Sequence, residues 1–321
     1  MDTIRWGILG AANFARQHMG PAIHAARGAT LAAVATSSAE KAAAFSDLFP
    51  GIRVVDSYDA LLADPDIDAV YVPLPNHLHV EWSLKALEAG KPVLCEKPMT
   101  LAASEFDPLI AARDKSGLLA AEAYMVVHHP QWQRARDLVA EGAIGNLVDV
   151  RGAFSFNNPD PANIRNQAAT GGGALRDIGV YPLGTARFVT GEEPVSASAK
   201  ITWVDGYDTT SRSLLTFPGF TMSMMLSTRL APYQEMVFHG DEGVLRLDYP
   251  FNANVHGEAR LDLYRDNETH TERWPGVNHY VLQVERFGEC LRTGAAYPCP
   301  LEFSRGTQAA MDMIFAADPA P

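Results

Sequence analysis

Over the first 125 residues, short apolar runs alternate with stretches of helical periodicity. No other feature of the chain narrows its possible folds as much. Strands are expected at 4–9, 29–36, 52–55, 67–74, 92–95 and 118–125. Helices are expected between them at 13–26, bent near Gly20-Pro21, and at 40–48, 58–62, 77–89 and 101–115, the last despite Pro108. Connections this short join parallel strands through right-handed helical crossovers. The runs are apolar throughout rather than alternating, as suits strands covered on both faces.

Beyond residue 125 the pattern changes. A helix is expected at 131–141 and a half-exposed strand at 147–156, then a glycine-rich turn and a helix at 177–189. Strands follow with little helix between them, at 196–204, 211–217, 220–228, 235–239, 244–249 and 260–264. Helices near 280–291 and 302–315 close the chain. The expected fold class is α/β. A Rossmann domain with a doubly wound parallel sheet is expected over residues 1–123, and an α+β domain with a mostly antiparallel open sheet over 124–321.

The chain has 321 residues, 47% of them hydrophobic, and a net charge of −12. That balance argues against nucleic acid or an anionic membrane as the partner. Cys95, Cys290 and Cys299 form no C-x-x-C pair, which fits a reducing compartment. The opening MDTIRWGILG does not read as an export signal, and no apolar run approaches a membrane span. A cytoplasmic protein is expected. Asn267-Glu268-Thr269 then matches a glycosylation acceptor by chance.

Gly10-Ala11-Ala12-Asn13-Phe14-Ala15 follows the first strand and opens the first helix. It is a G-x-A-x-x-A form of the dinucleotide fingerprint. Gly10 makes the tight turn, Ala12 allows close approach of a pyrophosphate, and Ala15 lets helix meet strand. Unpaired amides at the helix N-terminus then face the phosphates. The second strand ends Thr36-Ser37-Ser38 with no acid to take a ribose 2′-hydroxyl. Ser37 and Ser38 can hydrogen-bond a 2′-phosphate and Lys41 can pair with it, so NADP is favoured and NAD remains possible. The simpler reading of Ser37 or Ser38 is a helix N-cap; both can hold together.

Three further segments suggest chemistry. Leu74-Pro75-Asn76-His77 ends the fourth strand and Glu96-Lys97-Pro98 the fifth, on the rim where ligands bind a parallel sheet. In the second domain, Gly171-Gly172-Gly173 would let the backbone approach a ligand, and Asp177 and Tyr181 share a helix face. Singly, Lys97 reads as a snorkelling strand-end residue, Tyr181 as core and Asp177 as a helix-dipole acid. Together, after a dinucleotide turn, they read better as a site. His77, His79, His128 and His129 lack the spacing of a metal set, so no metal is expected, and Cys95 reads as a small buried hydrophobe.

On these motifs the sequence resembles the glucose–fructose oxidoreductase / inositol dehydrogenase (Gfo/Idh/MocA) family. The branch most similar holds dimeric dihydrodiol dehydrogenase and NADP-dependent xylose dehydrogenases. The resemblance rests on 6–15, 74–79, Glu96-Lys97-Pro98, 122–125, His129-Pro130, 141–145 and 171–181. It implies Lys97 and Tyr181 as catalytic residues, with Asp177 beside the substrate. It implies cofactor contacts from Gly10, Ala12, Asn13, Phe14, Ala15, Ser37, Ser38, Lys41, Leu74, Pro75, Asn76, His79, Glu96 and Lys97. Substrate contacts would come from Tyr124, Asn163, Arg165, Asp177 and Tyr181. Similar sequences carry an aromatic residue and an arginine before His129-Pro130, where this chain has Val126, Val127 and His128. Many relatives have His in place of Tyr181, and the tyrosine form points to the sugar and dihydrodiol branch.

A phenol of pKa about 10 is a poor base unless a nearby cation favours its phenolate. Tyr181 is therefore expected as general acid/base, assisted by Lys97. The expected activity is NADP-dependent hydride transfer at an aldose C1 or on a related cyclic polyol. A trans-dihydrodiol dehydrogenase or an aldose–aldose oxidoreductase is the alternative, and a non-catalytic NADP-binding regulator is the alternative of another class. A homodimer or homotetramer is expected through the half-exposed sheet.

Overall fold

The structure is a computed structural model that describes residues 3–255 and 257–321. The chain forms two compact units: Met1–Met125 with His279–Arg305, and Val126–Asn278 with Gly306–Pro321. This division departs from a single boundary at 123/124, because the chain returns to the first unit near its end. The helix His279–Thr293 explains the return. It buries Val284 and Phe287, Phe287 packs on Trp6 with ring centroids 5.1 Å apart, and Glu285 accepts the Arg27 guanidinium at 3.0 Å. Burying one such phenylalanine contributes about 1.5–3 kcal/mol.

The first unit is built on six strands: β1 (Ile4–Leu9), β2 (Ala29–Ala35), β3 (Arg53–Val55), β4 (Ala69–Val72), β5 (Val93–Cys95) and β6 (Ala120–Glu122). Their order is β3-β2-β1-β4-β5-β6 and every pairing is parallel. The strand order reverses between β1 and β4, which marks the crevice for a ligand at the carboxyl ends. Val70, Val72, Val93, Phe106 and Leu109 fill a core that Leu301 completes from far along the chain. Pro108 is accommodated in the first turn of its helix, Phe106–Ser116, where its missing N–H costs nothing.

The second unit carries an eight-stranded sheet: β7 (Leu147–Asn157), β8 (Ser196–Val204), β9 (Tyr207–Thr216), β10 (Thr221–Ser227), β11 (Arg229–Gly240), β12 (Val244–Asp248), β13 (Ala259–Arg265) and β14 (Glu268–Trp274). The order is β14-β13-β12-β11-β7-β10-β9-β8, antiparallel except for β7 with β10. Ser211, Ser213 and Leu215 of β9 are buried while Arg212, Leu214 and Thr216 are exposed, so one face is covered and the other open. β14 has no counterpart in the expected strands, since its residues are polar and largely exposed.

Two helices share a device. The helix over 13–25 contains a π turn at Ala15–Met19, where the Gly20 amide reaches back to Ala15 O, and Pro21 follows it. In the second unit a π turn at Leu175–Gly179 precedes Val180–Thr190, with Pro182 near its start. A proline lacks the N–H of the regular ladder and crowds the carbonyl one turn back, and a wider turn relieves both. The helix expected over 177–189 thus begins earlier and in a wider form.

Candidate active site

In the first unit, β1 delivers Gly10 at φ +98°, a conformation glycine adopts without strain. A Cβ there would lie 2.7 Å from Leu74 Cδ2, so the turns after β1 and β4 adjoin at this glycine. The Gly10 amide donates to Ala35 O at 3.0 Å. The first i→i−4 amide of the helix is that of Arg16, bonded to Ala12 O at 3.0 Å, so the amides of residues 13–15 lie in the opening turn. Ala15 is fully buried, Ala12 half-buried and Asn13 exposed. Phe14 is half-buried, and its ring packs 5.7 Å from the Tyr280 ring and 4.9 Å from the His18 ring. A turn with no Cβ at its tightest point and amides aimed outward fits a dinucleotide pyrophosphate.

At the end of β2, Ser38 is the N-cap of the helix Ala39–Leu48; its Oγ accepts the Lys41 amide at 3.3 Å. Ser37 and the Lys41 side chain are exposed beside it; no acid stands at 36–38, and Glu40 follows in the first turn of the helix. This donor set suits a 2′-phosphate better than a free hydroxyl.

His79 does not line the crevice. It is 1% exposed, and its ring nitrogens stand 2.8 Å from Pro98 O and 2.7 Å from Leu74 O. Burial pushes its pKa down to about 4 against the pull of these carbonyls. As a neutral imidazole it donates to one of these carbonyls and packs against the other, so it sits wedged between the turns after β4 and β5. Pro75 and Asn76 are half-buried and His77 is exposed.

The charged pair after β5 has partners. Glu96 accepts the Tyr71 hydroxyl at 2.6 Å on one oxygen and the Lys97 amide at 3.2 Å on the other. Burial raises the Glu96 pKa, while the Lys97 charge and the Tyr71 hydroxyl oppose the rise. The Lys97–Pro98 peptide is cis, and the next amide, of Met99, is held by Glu122 at 2.8 Å. Lys97 is half-buried on this rim. Cys95 is fully buried, its thiol pKa pushed well up, and belongs to the core. Tyr124, expected against substrate, is 1% exposed and packs toward Phe303 at 6.2 Å.

In the second unit, Arg165 Nε donates to Asp177 Oδ2 at 2.7 Å, which joins two of the expected substrate residues. Asn163 instead caps the short turn Ile164–Asn166, accepting the Arg165 amide at 3.1 Å. Each of the three glycines is required by the chain's own conformation or packing. Gly171 has φ +75° and ends a turn. A Cβ on Gly172 would meet Arg165 O at 2.6 Å, and one on Gly173 would collide with Asp208 Oδ1. Asp208 is 1% exposed, accepts the Leu175 amide at 2.7 Å and anchors the first turn of the helix carrying Asp177 and Tyr181. Burial pushes its pKa up to about 6. Nothing near Asp208 in sequence marks it for this role.

Tyr181 is 6% exposed, with its ring 5.6 Å from those of Phe154 and Phe251. Phe251 is fixed in turn: Pro250 O accepts both Gln131 Nε2 and Trp132 Nε1 at 3.0 Å. Gly152 of β7 makes room for the helix, since a Cβ there would lie 2.8 Å from Pro182. Val126, Val127 and His128 are buried. Among the described residues, no group of three His, Cys, Asp or Glu could hold a metal ion, and no helix is long and apolar enough to cross a membrane.

Comparisons bear on this arrangement. Residues 4–124 match an oxidoreductase family with an NAD-binding Rossmann fold, and residues 132–246 match the GFO/IDH/MocA C-terminal domain. An uncharacterized oxidoreductase, ORF334 of Rhizobium meliloti, is 40% identical, covering 98% of this chain and 96% of that protein. A dTDP-3,4-didehydro-2,6-dideoxy-alpha-D-glucose 3-reductase of Streptomyces violaceoruber is 36% identical over 90% and 85% of the two chains. A D-xylose 1-dehydrogenase (NADP(+)) of Haloferax volcanii is 33% identical over 97% and 96%. Among solved structures, the 3-ketoreductase KijD10 of Actinomadura kijaniata, in complex with NADP and TDP-benzene, superposes with a TM-score of 0.90 at 31% identity over 98% of each chain.

Proposed function

The chain belongs to the GFO/IDH/MocA family of oxidoreductases, and from that premise we propose that it transfers hydride between NADP and a sugar, with Lys97 and Tyr181 as its catalytic residues. The carrying observation is the Glu96-Lys97-Pro98 turn. It presents an ammonium at the carboxyl end of β5, one strand from the strand-order reversal, on the sheet whose first turn is shaped for a pyrophosphate. NADP is the cofactor: the turn after β2 offers hydroxyls and a lysine instead of an acid, and relatives are named for NADP.

When bound, the nicotinamide supplies the hydride donor or acceptor. Tyr181 exchanges a proton with the substrate oxygen, which leaves the oxygen as carbonyl on oxidation and as hydroxyl on reduction. The Lys97 ammonium favours the phenolate. Asp177, oriented by Arg165, aligns a neighbouring hydroxyl, and the aromatic wall of Phe154 and Phe251 holds the Tyr181 ring in one place.

The substrate proposed is an aldose oxidised at C1 or a related cyclic polyol. A second reading, reduction of a keto group on a nucleotide-linked deoxysugar, is favoured by the names of the Streptomyces and Actinomadura relatives. Absorbance of reduced nicotinamide with free aldoses in one direction and keto sugars in the other separates the two. Cofactor binding without turnover on either panel would leave a regulator. Tyr181→Phe should lower kcat by about 10²–10⁴-fold with NADP affinity kept; unchanged turnover removes Tyr181 from the mechanism. The open face of the second-unit sheet, with Leu214 half exposed, is proposed as the homodimer or homotetramer contact. A monomer by light scattering at micromolar protein would contradict it.

A further inference from the structure

We infer that Tyr71 is a positioning residue for the Lys97 turn and acts through Glu96. This rests on the role proposed for Lys97. Tyr71 lies in β4 and pairs with Leu94 of β5, two residues before Glu96. It is fully buried, so it touches no ligand. Its neighbours in the strand, Ala69, Val70 and Val72, are aliphatic, and phenylalanine would serve packing as well. The hydroxyl is what packing does not require. It donates to Glu96 Oε1 at 2.6 Å while the Lys97 amide donates to Oε2 at 3.2 Å. The carboxylate is thus gripped at both oxygens, by the neighbouring strand and by the residue it flanks.

The electrostatics agree with the geometry. Burial disfavours an ionised Glu96, and Glu122 adds to the cost; Lys97 and the Tyr71 hydroxyl offset it. Burial holds the Tyr71 phenol well above its ordinary range, with Tyr280 and Cys95 also acting on it, so it stays a donor at working pH. Without that hydroxyl, Glu96 keeps its desolvation and loses a donor. It then takes up a proton more readily, and the negative charge facing Lys97 is lost.

The test compares full-length wild type with Tyr71→Phe, Glu96→Gln and the double variant. Melting temperature, NADPH binding by fluorescence, kcat and KM across pH, and the carboxyl infrared band of the substrate-free protein are read for each. Tyr71→Phe should fold and bind NADPH as wild type does, with KM unchanged and kcat about tenfold lower, the loss deepening toward acid pH. Glu96→Gln should lose as much at every pH, and the double variant should fall no further. The infrared spectrum of Tyr71→Phe should show a protonated carboxyl at a pH where wild type has none, and the double variant should lack it. A fluorinated tyrosine at position 71, the same shape with a stronger donor, should move the band the opposite way and decides the matter if Tyr71→Phe folds poorly. Wild-type kcat and pH profile in Tyr71→Phe, losses that multiply in the double variant, or an unmoved infrared band would each overturn the inference. Absence of wild-type turnover would instead sink the hydride-transfer reading, and the infrared band would still decide the Tyr71–Glu96 link.

Discussion

Gly173→Ala is the most incisive single change in the second unit. Gly173 has φ +127°, a region L side chains rarely enter, and an added Cβ would strike Asp208 Oδ1. The backbone strain alone costs about 1–3 kcal/mol. Asp208 must also swing away from the Leu175 amide it holds at 2.7 Å, and a buried bond to a charged group is worth roughly 1.5–3 kcal/mol. The expected destabilisation is therefore about 3–5 kcal/mol, which for a unit of this size lowers its melting temperature by about 6–20 °C. Differential scanning calorimetry reads it. The reasoning also predicts coupling. Asp208→Ala removes the anchor but also the obstacle, so Gly173→Ala should cost at least about 1 kcal/mol less in that background. Gly173→Ala melting within a degree or two of wild type, or additive losses in the double variant, would refute the assignment of Gly173 to Asp208.

Asp208 also predicts a pH effect. Its pKa is raised from 3.8 to about 6 by burial, so its ionisation costs the fold nothing below about pH 3.8 and its full penalty above about pH 6, on the order of 3 kcal/mol. The melting temperature of Asp208→Asn minus that of wild type should therefore be more positive at pH 7 than at pH 4; an equal difference at both would exclude the penalty. Ser38→Asp keeps an N-cap and adds the acid that a ribose 2′-hydroxyl prefers, so melting should be preserved while cofactor preference moves toward NAD. NADP use that stays equal or improves would put the 2′-phosphate elsewhere.

What was legible in the sequence followed from local patterning. The apolar run of β1 and the strand-end position of Lys97 could be read because each is set by its own neighbours. β14 could not, since its residues are polar and its partner is a single strand. Its signal was the Asp266-Asn267 turn, both at positive φ, which carries the Asn267-Glu268-Thr269 triplet into a hairpin. At the site, Asn163 departs from expectation through a local cap, while two other residues answer to partners remote in sequence. His79 answers to Pro98, and Gly173 is shaped by Asp208. No spacing rule announces such pairs. Tyr71 was hidden for another reason: in an apolar strand its ring reads as packing, and only the partner on β5 shows why a hydroxyl is present.

The return of the chain to its first unit has a consequence during synthesis. As the polypeptide leaves the ribosome, the parallel sheet is finished at Met125, yet Phe287 and Leu301 do not exist until much later. At ordinary translation rates the nascent sheet waits roughly 10–35 s with an oily patch around Trp6 uncovered. Holdase chaperones would be drawn to that interval, and a gene truncated anywhere before the codon for Leu301 should yield a product that clumps rather than a free-standing nucleotide-binding module.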